Sequence, residues 1–176
     1  MRSLWPVGVA AAAVCSVFIM VTVPSSMNSD SRSSQFAVKG GLTVQAAVLG
    51  DGTPQVFDSM QPLYPGDQIA LRLEDAAGGW VTVLMEEESG KLFKLYDPHQ
   101  LGQLPPGKHQ LPGSIQLDEK LGRERLYILL SEHAPEPQTW MREIESAHSA
   151  AGFDHTWLPE RGTRLSTLEY QKVRRP

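Results

Sequence analysis

The sequence predicts a mainly β protein: an antiparallel β-sandwich-like domain with one C-terminal helix, preceded by an N-terminal transmembrane or signal helix. Three observations lead there. Apolar residues alternate at period two through several short runs, the pattern of strands with one buried face. Turn signals built from Gly, Pro and Asp recur about every ten residues between them. The period changes to three and four only late, where Trp140, Ile144, Ala147, His148 and Ala151 share one helical stripe.

The chain opens on an address. Arg2 is the only charge before Asp30, and residues 4–23 form an apolar run. At about 1.5 Å of rise per residue such a run can cross a hydrocarbon core of roughly 30 Å. Residues 1–24 therefore read as a retained signal anchor or a cleaved signal peptide, with Val23 and Ser25 as small residues flanking Pro24 and cleavage, if it occurs, near Ser25 or Ser26. Cys15 sits in mid-run behind Val14, where lipidation would want a smaller residue, and reads as an apolar side chain facing lipid. The early positive charge keeps the amino end in the cytoplasm, which places the rest on the extracytoplasmic side, periplasmic if anchored and secreted if cut. Residues 25–35, rich in serine, read as a flexible tether reaching roughly 15–20 Å.

The β domain is expected over 36–135. Residues 42–48 alternate and end at Gly50-Asp51-Gly52. In 62–67, Pro65 presets φ and Gly66 occupies the position a type II turn requires. A strand over 68–74 puts Ile69, Leu71 and Leu73 on one face. Runs 80–85 and 91–96 flank Glu86-Glu87-Glu88-Ser89-Gly90, which reads as a hairpin with a charged, solvated loop that also protects the edge from mispairing. Gly78-Gly79 and Pro105-Pro106-Gly107 are turns, and the apolar run 125–131 is a central strand. Residues 136–176 form a C-terminal helix and tail: a helix over 139–151 with Thr139 as N-cap, then 163–173 as either an edge strand or a loose tail.

Composition bounds function. Roughly 110 residues suffice for one core and not two. The net charge of −4 gives no basic face for nucleic acid. The single Cys lies in the leader, so the remainder holds no intrachain disulfide and depends on packing.

The ordered segments Phe36-Ala37-Val38-Lys39-Gly40-Gly41, Leu63-Tyr64-Pro65-Gly66-Asp67, the Gly-Trp-Val-Thr-Val-Leu run at 79–84, Gly90 with Leu95-Tyr96-Asp97-Pro98, and Leu117-Asp118-Glu119 with Leu121-Gly122-Arg123-Glu124-Arg125 carry a resemblance. Over 36–131 the chain resembles a bacterial domain-of-unknown-function family found beside or fused to caspase-like peptidases, kinases and anti-sigma regulators. The resemblance implies a small β-rich accessory module with no assigned activity. None of those catalytic or zinc-binding segments occurs in this chain.

No chemistry-bearing motif stands out. Among the five histidines, His99, His109, His133, His148 and His155, no two are spaced at i, i+2 or i+4, and no Cys can join them, so neither a metal nor another cofactor is expected. His148 with Glu145 and His155 with Asp154 are neighbours that only folding could bring together. The acidic loop lacks the Asp/Asn/Gly spacing of a calcium site. There is no Gly-x-Ser-x-Gly elbow, and Gly40-Gly41 and Gly78-Gly79 precede strands and not helices, which argues against a phosphate cradle. The aromatic residues Trp140, Phe153 and Trp157 are the candidate binding residues; Trp80 and Trp140 are also expected to pack in the core. The expectation is a non-catalytic, membrane-tethered extracytoplasmic module that recognises a protein partner through a strand edge or through the helix and its following loop. A cell-envelope glycan is the alternative ligand, and an enzyme with a site assembled from distant residues comes after it.

Overall fold

A computed structural model describes residues 36–37, 41–50 and 53–176, all within one compact unit, Arg32–Pro176. The leader and tether lie outside the described residues. Among the described residues no helix is long and apolar enough to cross a membrane.

The unit is mainly β, with two antiparallel sheets and one long helix near the C-terminus. In chain order the elements are β1 Phe36–Ala37, β2 Thr43–Leu49, β3 Gln55–Val56, β4 Gln68–Asp75, β5 Gly79–Glu87, β6 Leu92–Tyr96, α1 Pro98–Leu101, β7 Gln103–Leu104, β8 Gly107–Gln110, β9 Ile115–Gln116, β10 Gly122–Ser131, α2 Pro137–Ala151 and β11 Thr163–Lys172. The first sheet runs β1-β2-β4-β8, with β3 on β2 and β9 on β4. The second runs β11-β10-β5-β6, with β7 on β5.

Alternation decides what each sheet buries. Leu42, Val44 and Ala46 join Ile69, Leu71 and Leu73 from the first sheet. They share one apolar cluster with Val81, Val83 and Met85, Leu126, Ile128 and Leu130, and Leu168 and Tyr170 of the second. Each fully buried aliphatic side chain in such a cluster contributes about 1.5–3 kcal/mol. β5 and β10 are central strands and are buried on both faces. On their other face Leu84, Tyr127 and Leu129 pack with Trp140 and Ile144 of α2.

The expected strands over 42–48, 68–74, 80–85, 91–96 and 125–131 all form, and the tail is an edge strand, β11. The turn at 62–67 closes through Asp67 N donating to Tyr64 O at 3.1 Å, with Gly66 at φ +88°. Two expectations need correction. Helix α2 begins at Pro137 with Glu136 as N-cap, because proline's fixed φ suits the first helical position; Thr139 lies inside the first turn. The acidic run is not a solvated loop: β5 continues through Glu86 and Glu87, both buried, and only Glu88 is exposed. Buried carboxylates require partners. Lys120 pairs with Glu87, and Glu86 sits at the centre of the arrangement described next.

Candidate functional site

Three segments converge on Glu86. Period two along β5 sends Thr82, Leu84 and Glu86 to the helix side of the second sheet, and the register sets Arg125 of β10 directly opposite Glu86. Helix α2 docks through Trp140 and Ile144, and the same i, i+4 spacing carries His148, one turn further, onto the sheet. The chain then reverses. Gly152 N donates to His148 O at 2.7 Å and His155 N donates to Gly152 O at 3.2 Å, which returns His155 to the same place. Gly90 completes the wall: a Cβ there would lie 2.6 Å from His148 Cδ2, so only glycine lets the imidazole lie against the hairpin backbone.

His148 Nδ1 lies 2.7 Å and His155 Nε2 2.9 Å from the same oxygen, Glu86 Oε1. The other oxygen, Oε2, accepts from the Tyr127 hydroxyl at 2.6 Å and faces Arg125 Nη1 at 3.6 Å. Burial pushes the Tyr127 hydroxyl well above the ordinary tyrosine value and the facing Glu86 carboxylate adds to the shift, so it stays protonated and donates. Glu86 is fully buried, His155 is buried, and His148 keeps 18% of its side chain exposed. His155 Nδ1 is buried with no hydrogen-bond partner. Arg125 is anchored by the Phe153 carbonyl at 2.8 Å and Glu169 at 3.2 Å. Chemically, one carboxylate and two imidazoles within 4.8 Å of one another make a set that can share protons or hold a cation.

Sequence reasoning missed this cluster, since His148 and His155 follow none of the usual ligand spacings and Glu86 lies far upstream. A usable signal existed: a histidine on the apolar stripe of α2 needs a polar partner, and continued alternation past Leu84 puts Glu86 on the facing side.

The aromatic candidates are placed differently. Trp140 and Phe153 are buried, and Trp157 is half-buried. Arg123 and Arg125 lie 4.7 and 4.6 Å over the Phe153 ring. Trp157 meets Tyr127 edge-on at 5.8 Å and donates from Nε1 to Glu143 at 3.1 Å. With two of the three buried, they do not form an exposed stacking row.

A second feature is the edge of the second sheet. In β11 the even-numbered residues bond to β10, as Glu132 N to Gly162 O indicates, and the odd-numbered ones point outward. Leu63 takes the outward groups at one end, receiving from Val173 N and donating to Gln171 O. The outward N–H and C=O groups of Leu165, Thr167 and Glu169 have no backbone partner among the described residues.

No family model, curated protein or solved structure matches the chain.

Proposed function

We propose that this chain is a non-catalytic, membrane-tethered extracytoplasmic module of sandwich-like build, which recognises a protein partner by taking an extended segment of it onto β11. One observation carries the reading: the outward row at Leu165, Thr167 and Glu169 is a ready template for a further strand. Main-chain bonds there supply affinity, while the exposed side chains of Thr167 and Glu169 favour a partner strand with complementary polar groups. A tether at the membrane raises the effective concentration for a partner at the same face. The family resemblance over 36–131 points to a regulatory protein as that partner. A glycan platform finds less support, because Trp140 and Phe153 are buried.

A photo-crosslinker at Glu169 of the full chain, used in intact membranes, tests the edge directly. The expected outcome is one specific protein, lost about tenfold when Thr167→Pro removes an outward N–H that plays no part in the β10 ladder. Equal recovery with Thr167→Pro sinks the edge. Sedimentation of the chain with isolated cell wall, and no protein product, would transfer the reading to glycan.

A further inference from the structure

The Glu86 cluster has the donor set of a transition-metal centre. We propose that Glu86 Oε1, His148 Nδ1 and His155 Nε2 bind one zinc ion.

Two imidazole nitrogens and one carboxylate oxygen are zinc ligands by type, and three protein ligands leave a fourth position for water. The geometry is close to the required one. Ligands at about 2.0–2.1 Å from a tetrahedral ion stand about 3.4 Å apart. Here the imidazole nitrogens stand 2.7 and 2.9 Å from Oε1, and all three atoms lie within 4.8 Å of one another. Entry of an ion therefore asks Oε1 to withdraw by roughly 0.7 Å from His148 and roughly 0.5 Å from His155.

The surroundings divide the carboxylate into two jobs. Both imidazoles face Oε1, while Oε2 accepts a hydrogen bond from Tyr127, of the outer kind that orients a ligating carboxylate, and is ion-paired with Arg125. The Arg125 charge is itself countered by Glu169 at 3.2 Å. Facing a metal-free carboxylate, each imidazole presents a proton; facing zinc, each must present a lone pair, so the proton moves to the other ring nitrogen. In His155 that other nitrogen, Nδ1, is buried with no partner among the described residues, so the proton it takes up on ligation has no acceptor there and lowers the affinity of the site. His148 is the partly exposed ligand and marks the way in.

One ion would then clip the end of β5 to a segment about sixty residues on in the sequence, the last turn of α2 with the loop behind it. Zinc should stabilise the folded chain by an amount that grows with the logarithm of free zinc once this exceeds the dissociation constant.

The test uses the untagged full chain, stripped with chelator and titrated with Zn²⁺ alone by calorimetry, with Co²⁺ as a visible-absorption reporter of nitrogen and oxygen ligation. Expected is one ion per chain, with affinity at least tenfold weaker in His148→Gln and in His155→Gln, and tenfold weaker in Tyr127→Phe through loss of orientation. Circular dichroism checks that each variant folds. Should His155→Gln not fold, protection of His148 from diethyl pyrocarbonate by Zn²⁺ in the unaltered chain reads the same ligation. No saturable binding by the unaltered chain, or binding unchanged in folded His148→Gln, overturns the site.

Discussion

Glu86 and Glu124 lie buried at the same end of the second sheet, on opposite faces of it. Glu124 of β10 faces the core shared by the sheets, where it accepts from the Tyr170 hydroxyl at 2.7 Å and pairs with Lys172. Glu86 of β5 faces helix α2, where it accepts from the Tyr127 hydroxyl at 2.6 Å and meets His148, His155 and Arg125. The tyrosine–glutamate pair is common to both, and the remaining partners differ in kind. Lysine offers only a fixed positive charge, so the Glu124 group closes into an ion pair that also reaches Asp118. Imidazoles exchange a proton for a lone pair, so the Glu86 group keeps a choice of chemistry. Burial alone therefore does not separate a structural carboxylate from a functional one; the partners do.

The largest expected effect breaks the structural member. Lys172→Met keeps most of the apolar stem but leaves Glu124 buried beside a tyrosine alone, which should cost about 3–5 kcal/mol in urea unfolding. The double variant Glu124→Leu with Lys172→Met should recover most of it, since no charge is then stranded. A loss below about 1 kcal/mol in the single variant would show that the pair does not hold the sheet end.

A smaller effect sharpens the contrast. Tyr170→Phe removes one of two partners from Glu124, whereas Tyr127→Phe removes one of four from Glu86. A hydrogen bond to a buried charged group is worth about 1.5–3 kcal/mol, so Tyr170→Phe should approach the upper figure and Tyr127→Phe the lower. Equal costs, measured by chemical denaturation of both variants, would mean that partner number does not set the loss.

The smallest effect is the acid limb. Lys172 holds the Asp118 carboxyl below its ordinary value of 3.8. With the folded value below the unfolded one, the stabilisation is complete above about pH 4 and is lost as pH falls through the folded value. Asp118 is more than half exposed, which screens the pair and keeps the contribution under about 1 kcal/mol. Asp118→Asn should shallow the decline of thermal midpoint below about pH 4 and change little at neutral pH. An unaltered slope would assign the acid limb to other carboxylates.

Much of the architecture could be read before folding. The large apolar side chains at every second position, Ile69, Leu71 and Leu73, favour one face of a strand, and β4 buries all three. Pro65-Gly66 specifies its turn through φ alone. The acidic run misled because charge is a fair guide to exposure only when no partner arrives from elsewhere, and the partners of Glu86 come from β10, α2 and the loop behind it. Thr139 misled as an N-cap because Pro137 already begins the helix.

Period, turn chemistry and composition are local properties, and from them the sequence by itself determined a β-rich chain with two-faced strands, one late amphipathic helix and no disulfide. Only the tertiary structure decided that Glu86, His148 and His155 share one place, that Phe153 turns inward, and that β11 is left with an open edge. Those outcomes depend on which strands pair and where the helix docks. Such contacts join residues far apart in the chain, and their energy comes from burial and charge compensation that no single segment contains.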